Sequence, residues 1–115
     1  MNSLKVFQNT EDSQDLSAGA LSLALAPTKR DVVVHMAAIH TGSAVSQTAT
    51  VKLTSPTGAN YTFLLDTSSL SSATDYVYNP GKPILVPVGW TLTLALTNSG
   101  TPSITAYADI LYQER

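Results

Sequence analysis

The sequence predicts an all-β protein, an antiparallel sandwich of about eight strands. Three observations predict it. From Gly19 onward apolar and polar residues alternate with a period of two, and no stretch follows helical spacing. Turn signals built on Gly, Pro, Asn and Ser recur about every 8–12 residues, the rhythm of a sandwich or barrel. Charged residues make up 12% of the chain against 43% hydrophobic. The polar remainder is mostly Thr and Ser, which suit strands and turns.

The 115 residues fit one domain, able to bury roughly two-thirds of its unfolded surface without staples. Residues 1–18 read as an N-terminal arm and residues 19–115 as the sandwich. The arm opens with an apolar cluster, Leu4, Val6 and Phe7, and continues as a polar, acidic stretch from Gln8 to Ser17. Leu4, Val6 and Phe7 are the expected anchors for a partner, on the same domain or a neighbour. The apolar stretch Leu16 to Pro27 is too short to span a membrane. Glu11, Asp12 and Asp15 precede it where a signal peptide would be basic, so it is expected to be mature structure.

Leu21, Leu23 and Leu25 alternate with Ser22 and Ala24 and predict a half-buried strand, closed by Pro27 and the charged Lys29, Arg30 and Asp31. Val32 to His40 is a longer apolar run, expected to be central in a sheet or buried on both faces. Thr41-Gly42-Ser43 reads as a turn. Ala49, Val51 and Leu53 alternate in the next strand, Ser55-Pro56-Thr57-Gly58 turns, and Tyr61, Phe63 and Leu65 alternate again. These two runs predict a hairpin. Asp66 to Thr74 is expected to be an exposed loop, Tyr76 to Tyr78 a short strand, and Asn79-Pro80-Gly81 a type II turn. Ile84 to Val88 carries Pro87, and a proline without an N–H marks an edge strand or a bulge. Trp90, Leu92, Leu94 and Leu96 alternate in one strand, and Ile104, Ala106, Ala108, Ile110 and Tyr112 share one face of the last. Those two strands are expected to form a second hairpin. Eight strands in this length suit a jelly-roll-like sandwich.

The search for chemistry finds no catalytic or metal site. The chain has no cysteine, which removes disulfides and thiolate ligands. The histidines are His35 and His40. Five residues apart on a strand, they are expected on opposite faces, unable to share a metal. His35 shares its face with Asp31, an arrangement that suits an acid/base pair but equally a strand-end ion pair. No G-x-S-x-G elbow and no Gly-rich phosphate loop appears. Asp66 and Asp75 bracket one segment and could offer oxygens to calcium, although Asp also simply favours turns. Asn60-Tyr61-Thr62 matches a glycosylation sequon, read as chance without a secretory signal. No cofactor is expected.

The formal net charge is −2, and the basic residues Lys5, Lys29, Arg30, Lys52, Lys82 and Arg115 are scattered. Nucleic-acid binding needs a concentrated positive footprint, so neither nucleic acid nor membrane is an expected partner. So weakly charged a surface suits a subunit that covers itself with partners. Tyr61, Tyr76, Tyr78, Trp90, Tyr107 and Tyr112 could stack on sugars if exposed, or sit at the rim of the core with polar tips in water.

The segment Pro83 to Leu94, an apolar strand, a Gly89 turn and an alternating strand, followed after Asn98-Ser99-Gly100 by the last strand, resembles the final strands of small jelly-roll virion proteins. Among these are bacteriophage capsid decoration (cement) proteins. The segment is also similar to trimeric tumour-necrosis-factor-like sandwiches. By strand rhythm the likeness covers residues 19–113. It implies a non-enzymatic structural virion protein on the capsid surface, working as a homotrimer or other homo-oligomer. Its partners would be its own copies and the major capsid protein or other virion subunits, with the arm as the natural lattice or neighbour contact. The alternative is a carbohydrate- or receptor-binding module of a fibre or tail, and an enzyme using His35 ranks last.

Overall fold

The alternation closes into two facing sheets. The computed structural model describes residues 6–115. The strands are β1 (Phe7–Asp15), β2 (Leu21–Leu25), β3 (Val32–Val45), β4 (Thr48–Thr54), β5 (Thr62–Ser69), β6 (Ala73–Tyr78), β7 (Ile84–Val86), β8 (Thr91–Leu96) and β9 (Thr105–Glu114), with a 3-10 turn at Ala59–Tyr61. Sheet A runs β1-β9-β3-β6, with β7 also paired to β3; sheet B runs β2-β8-β4-β5. Every pairing is antiparallel. β6 and β7 lie end to end along β3, so together they fill one strand position broken at residues 79–83. The nine strands thus occupy the eight positions of a jelly roll.

The inner faces carry the expected residues. Leu21, Leu23 and Leu25 of β2 and Leu92, Leu94 and Leu96 of β8 are buried. From sheet A, Val34, Ile39 and Ile110 meet them, interspersed with Ala37, Ala106 and Ala108. Leucines on sheet B thus face a layer that mixes alanine with valine and isoleucine, and large and small side chains together let two such layers interdigitate. Each fully buried leucine contributes about 1.5–3 kcal/mol by leaving water.

Gln47 closes one end. Its side-chain Oε1 accepts hydrogen bonds from Thr97 Oγ1 and Ser99 N, both at 2.8 Å, and its Nε2 donates to the Ser99 carbonyl at 2.8 Å. Leu70 N donates to the Gln47 carbonyl at 2.8 Å. Gln47 therefore ties three crossings between the sheets, joining its own to the β8–β9 crossing through the side-chain amide and to the β5–β6 crossing through its backbone carbonyl, and a satisfied buried polar group fixes a unique arrangement. At the opposite end Gly89, at φ 90°, takes the third position of the turn closed by Trp90 N donating to Pro87 O at 3.0 Å. That φ favours glycine.

Several expectations need correction. The segment read as an arm is an integral strand: β1 pairs with β9 along its whole length, Phe7 opposite Gln113 through Asp15 opposite Thr105. Leu16, inside the same segment, is fully buried. Its N–H donates to Ile104 O at 2.9 Å. β1 escaped notice because an edge strand buries little, so Gln8, Thr10, Asp12 and Gln14 can stand on its core side without breaking the fold. The second hairpin does not form, because β8 and β9 belong to different sheets. Alternating faces look the same whether two strands pair side by side or face each other across a core. The loop expected at 66–74 is mostly strand, the end of β5 and the start of β6. Thr41 to Ser43 continues β3 through a shift in register between His40 and Val45. The buried Thr41 hydroxyl is satisfied there by the carbonyls of Ser43 and Thr74. Gly81 has no positive φ, so Asn79-Pro80-Gly81 is not a type II turn. The edge position of the proline-marked strand is as expected: β7 pairs with β3 alone.

Candidate contact surfaces

The outer face of sheet A can be read row by row from the register. Leu85, Val33, Gln113 and Phe7 line up across β7, β3, β9 and β1. The next row is Met36, Leu111 and Asn9, followed by Val77, Ala38, Asp109 and Glu11, then Asp75, His40, Tyr107 and Ser13. Val33, Met36, Ala38, Val77, Leu85 and Leu111 form one apolar patch on the β3 side of this face. Val77 is 55% exposed, Leu85 40% and Met36 37%. Phe7, at 58%, extends the patch at one corner. Its ring meets His35 edge-on with centroids 4.9 Å apart.

A bulge shapes this face. Val34 pairs with Tyr112 and Met36 with Leu111, so His35 is an extra residue in β3. The insertion shifts the alternation by one and places both histidines on the outer face, contrary to the opposite faces expected from uniform spacing. They still hold different partners. His35 Nε2 lies 2.8 Å from Gln113 Oε1, and His40 Nδ1 lies 2.8 Å from Asp75 Oδ1. Asp31, the imagined partner of His35, instead accepts a bond from Val88 N at 2.9 Å.

The far end of the face is acidic. An open groove of about 440 Å³ is walled by Glu11, Asp109, His40 and Tyr107 over a floor that includes Ala38. Glu11 and Asp109 oppose each other across β1 and β9, a like-charge pairing that costs stability. Asn9 Nδ2 lies between them and donates to both carboxylates. The imidazole of His40 and the hydroxyl of Thr74 hold the Asp75 carboxyl below its usual range. Among the described residues no group of three or more His, Cys, Asp or Glu is placed to hold a metal ion.

Asp66 and Asp75 do not meet. Asp66 accepts a hydrogen bond from the Tyr76 hydroxyl on the core side of β6, whereas Asp75 turns outward to His40. Burial, reinforced by Asp66, pushes the Tyr76 phenol well above its ordinary value. The pair the sequence could offer to calcium is therefore committed elsewhere.

The outer face of sheet B is different. Its rows are Ser22, Ala95, Thr50 and Thr67, then Ala24, Thr93, Lys52 and Leu64, then Thr91, Thr54 and Thr62. At its edge Phe63 stacks on Trp90 with centroids 6.3 Å apart and planes 17° apart. Phe63 and Tyr61 are each 57% exposed, and Trp90 is half-buried against the core.

Of the expected anchors, Phe7 begins β1 on the sheet A face, Val6 is exposed just before it, and Leu4 lies outside the described residues. The patch on β3, β6, β7 and β9 is not among the residues the sequence singles out. Its signal was the apolar run from Val32 to Ile39, interrupted by His35 alone, in which residues for both faces of the strand are hydrophobic.

No protein-family model and no curated protein matches the chain. Among solved structures, it is similar to the Drosophila NLP-core, described as giving insight into pentamer formation and histone binding. That match has a TM-score of 0.47 and 11% identity, covering 90% of this chain and 96% of the other. A chain of infectious bursal disease virus, Gx strain, aligns with a TM-score of 0.42 and 14% identity, over 96% of this chain and 31% of its own length. RmlC from Streptococcus suis, in complex with dTDP-D-xylose, aligns at 0.35 and 11% identity, over 91% and 43%. This chain therefore spans less than half the length of the last two.

Proposed function

We propose that the chain is a non-enzymatic structural virion protein, seated on a bacteriophage capsid as a homo-oligomer and reinforcing the shell by bridging capsid subunits. The observation that carries this reading is the uncovered apolar patch on sheet A of a jelly-roll sandwich. Monomeric proteins rarely leave such a face open unless something binds it. The low formal charge of the chain fits a surface shared with neighbours. The test is co-sedimentation with capsids, followed by cross-linking of purified particles. The expected result is cross-links to the major capsid protein. A chain that stays monomeric in light scattering, both alone and with capsids present, overturns the reading.

A second reading rests on a separate observation, the stacked Phe63 and Trp90 beside exposed Tyr61. Aromatic faces in such a cluster suit sugar rings, as in a glycan- or receptor-binding module of a fibre or tail. A glycan array combined with quenching of Trp90 fluorescence tests it, and silence in both removes it.

A further inference from the structure

We infer that the outer face of sheet A is covered by a second copy of the chain, the two faces packed across a two-fold axis with their strands antiparallel. The inference rests on the homo-oligomeric part of the proposed function and names the surface that carries it.

The first support is composition. Apart from His35 at the bulge, β3 is apolar on both sides from Val32 to Ile39, a pattern that belongs to strands covered on both faces. Its core side is covered by sheet B, and its outer side, at Val33, Met36 and Ala38, carries no further layer among the described residues. On the outer face of sheet B the exposed apolar residues, Leu64 at 56% and the Tyr61 and Phe63 pair, lie on or beside the edge strand β5, and its central strands present threonine, alanine and Lys52; on sheet A the apolar residues include the central strands β3 and β9.

Area is the second support. The four strand positions of the face, at about 4.8 Å spacing, and some eight residues, at about 3.4 Å each, make a surface of roughly 500 Å². Two copies would bury about 1,000 Å² in total, the range where a specific interface begins. Two sheets packed face to face at about 10 Å are also the arrangement by which this sandwich builds its own core.

Charge selects the orientation. Glu11, Asp75 and Asp109 lie on one end of the face, and among the described residues neither Glu11 nor Asp109 has a Lys or Arg in ion-pair contact. Arg115, exposed at the end of β9, follows the other end of the face and pairs with Asp31 through its backbone N–H. On β9, Leu111 sits midway between Tyr107 and Arg115, four residues from each. A two-fold axis through the Met36 and Leu111 row, perpendicular to the strands, sets the Arg115 of one copy over the Tyr107, His40 and Asp75 row of the other. The guanidinium then meets a carboxylate and an aromatic face, both favourable. A parallel arrangement would instead lay acid end on acid end. The contact is self-complementary, so it closes as a dimer.

The test is the solution mass of the full chain by light scattering over a dilution series. Wild type is expected at twice the chain mass. Met36→Asp and Val77→Asp place a charge in the patch at exposed positions, and each is expected at the monomer mass with an unchanged circular-dichroism spectrum. Thr93→Asp, on the outer face of sheet B, is expected to remain dimeric. Arg115→Glu is expected to weaken the dimer several-fold, and Arg115→Glu combined with Asp75→Lys to restore it. A monomeric or three-copy wild type overturns the inference, as does a dimer indifferent to both Met36→Asp and Val77→Asp. Particle cross-links from the patch to the capsid protein alone would also overturn it while leaving the virion reading standing. A dimer in solution that never associates with particles would do the reverse.

Discussion

The two outer faces of this sandwich are built from the same strand geometry and carry different surfaces. On sheet B, threonine, serine and alanine alternate with the core leucines, with Lys52 the charged residue and Leu64, on the edge strand, the large apolar one in the rows described. That face meets the pattern of a solvated antiparallel sheet. On sheet A the equivalent positions hold Val33, Met36, Val77, Leu85 and Leu111, ending in an acidic, histidine-bearing strip. Folding alone requires only one apolar face per sheet. The second apolar face of sheet A is the surface on which the proposed self-association rests, and the central strands of sheet B are the comparison for it.

The largest expected effect comes from breaking sheet A at its edge. Removing residues 1–17 takes away β1, every backbone bond it makes to β9, and the buried Leu16. The shortened chain is expected to lose its cooperative thermal transition. A sharp transition near the wild-type midpoint would mean that β1 is an accessory to the sandwich after all.

Next in size is a contrast within a single strand. Leu94 is fully buried, and Leu94→Ala is expected to cost about 2–5 kcal/mol in urea denaturation. Its neighbour Thr93, on the outer face of sheet B, is expected to tolerate Ala within about 0.5 kcal/mol. Equal costs would mean that the two faces of β8 are not inner and outer. Gln47→Leu tests the joint between the sheets. It removes the bonds to the Ser99 backbone and the Thr97 hydroxyl; both residues are exposed and water can take the amide's place, so the expected cost is the net worth of the lost bonds, about 0.5–1.5 kcal/mol each. No change in the denaturation midpoint would remove the amide from its assigned role.

These contrasts also mark what could be read from the sequence. β2, β4 and β8 were legible because their inner residues are buried and their outer ones polar, so period two shows cleanly. β9 was legible as a strand and misleading as a hairpin partner, because periodicity reports which residues face the core and says nothing of which strand lies alongside. β1 and the end of β5 were hidden, since edge strands can place Gln, Thr, Ser or Asp where a central strand needs Leu or Val. For the contact surface, the apolar run in β3 was visible, but the bulge at His35 was not. One inserted residue moved His40 and Met36 to the face opposite the one that uniform alternation assigns. Charge placement followed from that shift, which is why the His40 and Asp75 pair could not be anticipated.

The smallest expected effect separates the two faces by proton uptake. Asp75 is held below its ordinary value of 3.8, chiefly by His40 and then by the Thr74 hydroxyl. A carboxylate whose folded pKa is depressed stabilises the fold above its unfolded pKa, and that contribution is lost as pH falls through the lower, folded value. Asp75 is a surface group, so the effect on global stability is expected to be negligible, and the informative measurement is carboxyl titration by NMR. Wild-type Asp75 is expected to titrate below 3.8, and in His40→Ala its midpoint should rise toward that value while the Thr74 bond keeps part of the depression. An unchanged midpoint would show that the imidazole does not hold the carboxylate. The acidic strip of sheet A would then owe its charge to the carboxylates alone, with no contribution from the histidine that the β3 bulge brings to the outer face.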